Sequence, residues 1–268
     1  MDGSTFAPAS VDPEGIQFDD ATRRIVWSSE GIRNVAANPP VLLQPFIREA
    51  NIDGTFSASY PVPNLFNIQA TENGTRSNGS FEGLALTVDG RYLFASSEEP
   101  LYEDGPRADV GVAGSPIRIL KYDRQTGQLV GEFAYQLDAV HAAPQPSNQF
   151  RLNGVVDILA LSETQLLVME RSFAVGATPD YSVKIYRIDL TNATNVASVN
   201  ALVGATYTPV TKTLLYDLAS AGVQRVDNLE GMTLGPKLAN GNYSLVMVSD
   251  DNFGAAQITQ FLAFEVLP

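Results

Sequence analysis

Four short segments of this chain repeat one another, and that repetition narrows the possible folds more than any other feature of the sequence. They are Pro13-Glu14-Gly15-Ile16-Gln17-Phe18, Phe81-Glu82-Gly83-Leu84-Ala85-Leu86, Val156-Asp157-Ile158-Leu159-Ala160-Leu161 and Leu229-Glu230-Gly231-Met232-Thr233-Leu234. Aligned on their acidic residues, they lie 68, 75 and 73 positions apart. A second apolar segment follows each one and ends on a carboxylate: Ile25 to Glu30, Leu93 to Glu98, Leu166 to Glu170 and Leu245 to Asp250. Turn residues separate the two members of each pair, among them Asp89-Gly90 and Asn240-Gly241, which are strong hairpin signals. A hairpin recurring at a near-constant period predicts an all-β chain built as a β-propeller, with about four recognisable four-stranded blades, alone or as part of a larger ring.

Later strands are visible in two blades. Ile117 to Tyr122 and Gln128 to Val130 extend the second, and Val183 to Ile188 with 214–218 extend the third. The last blade ends at Gln260 to Val266 with no room for a fourth strand, so a ring of this kind is expected to lack N-terminal blade material in this chain. No stretch of ten residues has helical periodicity, although short helical turns fit 100–114 and 138–152. An antiparallel sandwich would account for the strands but not for the repeated motif. The reading is of one domain over 1–268.

The first two strands of a blade are antiparallel, so the start of one and the end of the other share an edge. Each blade is thereby expected to carry two carboxylates to one end of the central channel: Glu14 with Glu30, Glu82 with Glu98, Asp157 with Glu170, and Glu230 with Asp250. Glu99, Asp251 and Asn252 add oxygens. Such a set needs protons, arginines or metal to coexist. Oxygen ligands in a chain without Cys and with one His point to a hard cation, Ca²⁺ before Mg²⁺. The alternative use of each carboxylate is to accept turn amides and hold blades together. Arg76, Arg151 and Arg225 recur just before three of the inner strands and form a candidate anion clamp; the alternative is that each pairs with a carboxylate of the adjoining blade.

Seventeen Lys and Arg against 30 Asp and Glu give a net charge of −13, which opposes nucleic-acid binding. No apolar run is long enough to cross a membrane. The start, Met1-Asp2-Gly3-Ser4, shows no signal peptide, as a processed chain would not. His141, the single histidine, sits in a loop-like sequence, and no Gly-x-Ser-x-Gly elbow accompanies it.

At the segments containing Glu14, Glu30, Glu82, Glu98, Glu170-Arg171, Glu230 and Asp250-Asp251-Asn252-Phe253, the chain resembles the phytase-like family, described as the esterase-like activity of phytase. The resemblance runs over nearly the whole chain in the same order, apart from the family's opening repeat. It implies a propeller, a secreted or periplasmic protein, and a phosphoesterase or esterase acting on a small anionic ester. Three functions follow as expectations: a calcium-dependent phosphoesterase, a non-enzymatic binding propeller with structural calcium, and a propeller lactonase.

Overall fold

The computed structural model describes residues 10–223 and 225–267, so the N-terminal tetrapeptide read above lies outside the described residues. Strands β1 (Pro13–Asp19), β2 (Arg24–Ser29), β5 (Phe46–Asn51) and β6 (Phe56–Tyr60) form blade 1, interrupted by a small hairpin of β3 (Ile32–Asn34) and β4 (Val41–Leu43). Blade 2 is β7 (Phe81–Leu86), β8 (Tyr92–Ser97), β9 (Pro116–Asp123) and β10 (Gln128–Gln136). Blade 3 is β11 (Arg151–Ala160), β12 (Gln165–Ala174), β13 (Tyr181–Asp189) and β14 (Thr211–Asp217). Blade 4 has three strands among the described residues: β15 (Leu229–Lys237), β16 (Tyr243–Ser249) and β17 (Phe261–Val266). Every blade is an antiparallel meander, and the chain is a β-propeller. One short helical turn falls where expected, at Tyr102–Asp104; 138–152 holds none.

The strand sequences follow from where their two faces go. In β12, Leu166 and Val168 enter a core shared with blade 2, while Leu167 and Met169 enter a core shared with blade 4. A strand buried on both faces reads as a continuous apolar run rather than an alternation. Three such cores join the blades: Val26, Phe81 and Leu93 between blades 1 and 2; Phe94, Ile119 and Val168 between blades 2 and 3; Met169, Val183 and Met247 between blades 3 and 4. The first strands pack in the order β1, β7, β11, β15. Blades 1 and 4 face each other across a cleft of about 460 Å³, lined by Ile16, Phe18, Val246 and Phe261 below Glu14, Glu82 and Glu230.

An ionic cluster stiffens blade 2. Arg118 is fully buried, forks onto Asp104 at 2.7 and 2.9 Å, and reaches Glu132 at 3.1 Å. It also donates to the Val199 carbonyl, tying down the loop that precedes β14.

Candidate functional site

Each first strand is broken by a β-bulge at the same place. Glu14 and Gly15 together oppose the space between Ser29 and Trp27; Glu82 is extra between Phe81 and Gly83; Val156 is extra between Val155 and Asp157; Glu230 is extra between Leu229 and Gly231. Bulges turn a side chain out of the regular pleat. Here they aim one residue per blade at the mouth of the channel. The residue after the bulge touches the next blade. A side chain on Gly15 would meet the Glu82 carbonyl at 2.5 Å, and one on Gly83 would meet the Ile158 nitrogen at 3.0 Å.

This register corrects the sequence alignment of blade 3 by one residue. The bulge position holds Val156, not Asp157, and lies 74 residues after Glu82 and 74 before Glu230. Asp157 occupies the glycine position instead. Its carboxylate accepts the Ile158 amide at 2.8 Å and, across to blade 4, the Met232 amide at 2.7 Å. It stitches two blades together, and burial raises its pKa well above the ordinary range. The same shift moves Glu170. It pairs with Val155 and belongs with Ser29, Ser97 and Ser249, while Arg171 takes the place of Glu30, Glu98 and Asp250. Neighbours in a strand face opposite sides, so Glu170 turns to blade 2. There it accepts Tyr135 Oη at 2.5 Å, Asn153 Nδ2 at 2.7 Å and Lys212 Nζ. It has no free place for a cation.

Three positions per blade therefore build the mouth: the bulge residue, the residue two before it, and the residue opposite the latter across the hairpin. Blade 1 supplies Asp12, Glu14 and Glu30. Blade 2 supplies Ser80, Glu82 and Glu98; blade 3 supplies Gly154, Val156 and Arg171; blade 4 supplies Asn228, Glu230 and Asp250. A shared backbone bond brackets the set: Glu30 N to Asp12 O at 3.0 Å, Glu98 N to Ser80 O at 2.7 Å, Asp250 N to Asn228 O at 3.0 Å.

Blade 1 alone carries acid at all three positions, and oxygens of Asp12, Glu14 and Glu30 lie within 4.8 Å of one another. Glu30 is 1% exposed; its Oε2 accepts the Ser80 amide at 3.0 Å, and its Oε1 has no hydrogen-bond partner. Burial, then the charges of Glu30, Asp12 and Glu230, pushes Glu14 up to about 9. Burial pushes Glu30 up to about 7, against the pull of the Ser80 amide. Glu82 is raised well above its ordinary value by burial and by Glu98, Glu30 and Glu14. Burial raises Glu98 to about 8, although Arg171 opposes the rise.

Arg171 is the cation that Glu98 and Glu230 share. Its Nη1 donates to Asn228 Oδ1 at 2.6 Å and to Glu230 Oε1, and its Nη2 to Glu98 Oε1 at 3.1 Å. The mouth thus gathers Glu14, Glu30, Glu82, Glu98 and Glu230, as the repeat predicted. Asp250 is exposed at its rim and caps a turn by accepting the Asn252 amide at 3.0 Å. Asp12, Asn228 and Arg171 were not singled out from the sequence. The Asp-x-Glu spacing of Asp12 and Glu14 is the signal that marks the first.

The three arginines of the candidate clamp are each taken up locally. Arg76 donates to the Pro100 and Gly105 carbonyls at 2.9 and 2.7 Å and lies over the Tyr102 ring. Arg151 pairs with Asp109 of the loop from blade 2, at 2.9 Å from Nη2. Arg225 pairs with Asp227 at 2.8 Å. Glu99 pairs with Arg107 at 2.5 Å, and Asp251 accepts the Phe253 amide. His141 Nε2 faces the Pro179 carbonyl, which only accepts, so Nε2 carries the proton and Nδ1 faces Ser172 Oγ at 2.8 Å.

Fold and mouth define a β-propeller whose channel opens through a ring of bulge-borne carboxylates. The chain belongs to the phytase-like family, described as the esterase-like activity of phytase, whose profile matches residues 1–253. A comparison with curated proteins found no match. Among solved structures, the chain is similar to the periplasmic gluconolactonase of Pseudomonas aeruginosa (11% identity, 97% of this chain and 75% of that one, TM-score 0.35). It is also similar to an endo-arabinase from Bacteroides thetaiotaomicron (11% identity, 96% and 94%, TM-score 0.36) and to the β-propeller domain of Cps50 from Myceliophteria thermophila (8% identity, 96% and 72%, TM-score 0.37). The propeller assignment rests on the order and packing of the four sheets. Among the described residues, no helix is long and apolar enough to cross a membrane.

Proposed function

We propose that this chain is a hydrolase of small anionic esters, phosphate monoesters first, and that a divalent cation, calcium before magnesium, sits in its mouth at Asp12, Glu14 and Glu30. The observation that carries the reading is the blade 1 triad. Each of its three carboxylates places an oxygen within 4.8 Å of the others, and Glu30 also has a buried oxygen, Oε1, without a partner. Carboxylates this close repel unless protonated or bridged, and all-oxygen donors suit a hard ion. A bound cation there would polarise an ester or phosphoryl oxygen and acidify a bound water.

The chain's own groups divide the remaining work. Asp12, Glu14 and Glu30 would hold the ion, and the Ser80 amide keeps Glu30 in place. Glu82 borders the cleft beside Glu14 and Glu230, and burial together with the charges of Glu98, Glu30 and Glu14 raises its pKa well above the ordinary carboxylate range. It is the residue able to give a proton to a leaving oxygen. The cleft between blades 1 and 4 offers apolar walls for the rest of the ester. An acidic protein repels an anion, so the ion must reverse the local field before substrate can bind.

The test is hydrolysis of phosphate monoesters and of lactones in calcium, in chelator, and after calcium is restored. The reading expects phosphate release that is lost in chelator and returns with calcium. Turnover indifferent to chelator removes the ion from the reaction. Calcium binding without turnover of any ester selects a binding propeller, and turnover of lactones alone selects a lactonase.

A further inference from the structure

The mouth has two halves that solve the same electrostatic problem differently. On blade 1, three carboxylates face one another and no arginine touches them among the described contacts. Across the mouth, Glu98, Glu230 and the Asn228 amide oxygen share one guanidinium, whose charge also acts on Glu82. That guanidinium belongs to Arg171, which stands where blades 1, 2 and 4 place a carboxylate.

We propose that Arg171 is the resident cation of the blade 2 to blade 4 half, and that it confines the protein to one divalent ion, at the blade 1 triad. The inference rests on the proposed function for that single ion. Two observations support it beyond the clustering of acids. Glu98 is 1% exposed, and its Oε2 has no partner even with Arg171 present, so the enclosed site has acceptor capacity to spare. Arg171 is itself held in one orientation, with Nη1 on Asn228 and Glu230, Nη2 on Glu98 and its side chain 11% exposed. A planar fork meets carboxylates at fixed angles and, being part of the chain, is not lost to solvent as a bound ion is. Without it, Glu98, Glu230 and Asn228 Oδ1 would turn their oxygens to the space the guanidinium now fills, a donor type that suits a hard divalent ion.

Calcium is counted by calorimetry and by atomic emission after desalting, on wild type, Arg171→Lys and Arg171→Gln. Wild type and Arg171→Lys should each hold one ion, and Arg171→Gln two. Calcium should also raise the melting temperature of Arg171→Gln more than that of wild type. One ion in both wild type and Arg171→Gln overturns this inference and leaves the blade 1 ion standing. No ion in wild type overturns the proposed function as well. If Arg171→Gln fails to fold even when produced and refolded in calcium, the guanidinium is not replaceable by an ion and the inference also falls.

Discussion

Glu14→Gln should stabilise this protein in chelator and destabilise it in calcium. The oxygens of Asp12, Glu14 and Glu30 lie within 4.8 Å of one another. At that separation two unit charges repel by about 3 kcal/mol at an effective dielectric near 20. Glu14 is partly buried, so solvent screening leaves about 1–2 kcal/mol, or roughly 2–8 °C in melting temperature for a chain of this size. The gain depends on pH. With Glu14 pushed up to about 9, the metal-free wild type carries a proton there at pH 6, and glutamine replaces a neutral acid at little cost. As pH rises toward 9 the proton leaves, repulsion appears, and only the wild type suffers it. In calcium the order reverses. An ion at a hundred times its Kd stabilises the folded state by about 2.7 kcal/mol, roughly 5–10 °C, and the variant forfeits most of that. The assay is a melting curve of both proteins at pH 6, 7.5 and 9, in chelator and in excess calcium. A variant less stable than wild type in every condition would refute the reasoning, because Glu14 would then be a hydrogen-bonding strut rather than an ion ligand.

Calcium affinity should climb from pH 6 to 9, because Glu14 and Glu30 have pKa values raised to about 9 and about 7 and must release protons to bind; calorimetry in two buffers of different ionisation heat would show the protons leaving. The same raised values mean that the metal-free fold holds more protons than the unfolded chain above pH 4.5. Its stability should therefore fall as pH rises through that window, a trend visible in urea midpoints. Arg118→Met should cost about 3–5 kcal/mol in chemical denaturation, since Asp104 and Glu132 would remain buried without their cation. Glu170→Gln should leave calcium stoichiometry unchanged while lowering stability by about 1–3 kcal/mol, and loss of the ion in this variant would contradict the register assigned to blade 3.

The repeat was legible in the sequence because strands such as β7 and β11 are buried on both faces and two of the four turns carry Asp-Gly or Asn-Gly. What misled the reading in blade 3 was matching on the acidic letter. Asp157 and Glu170 are acids in the right neighbourhood but one place off. The apolar residue after the bulge is the safer marker: Ile16, Leu84, Ile158 and Met232 fall in one column, which puts Val156 with Glu14, Glu82 and Glu230. A bulge also shifts register on one strand alone, so a pattern of period two loses its phase there. The outer half of blade 1 was missed for another reason. The hairpin from Ile32 to Leu43 separates β2 from its partner β5, and Phe46–Asn51, with Arg48 and Glu49 inside it, does not read as a central strand. Glu49 is nevertheless buried, because Arg24 and Arg124 both reach it. Such long-range pairs leave no local trace.

The same geometry explains why so repetitive a backbone ends in so asymmetric a site. After each bulge, one blade's strand runs against the next, and the space is small enough that Gly15 could not carry even a methyl group without meeting the Glu82 carbonyl. In blade 3 an aspartate holds that place by reaching across to the Met232 amide, so a contact between blades persists by other means. The position after the bulge is thus committed to holding blades together. The bulge residue and the second-strand residue beside it carry the charge of the mouth, and two of them, Glu30 and Arg171, also reach neighbouring blades, through the Ser80 amide and through Glu98, Asn228 and Glu230. They have become Glu and Glu in blades 1 and 2, Val and Arg in blade 3, Glu and Asp in blade 4. Charge at the mouth is therefore set by a few side chains, while the close contact at the position after the bulge is kept. The fold supplies a ring of equivalent positions, and the chemistry lies in how the blades differ: three acids on one side, and on the other an arginine that already balances the rest.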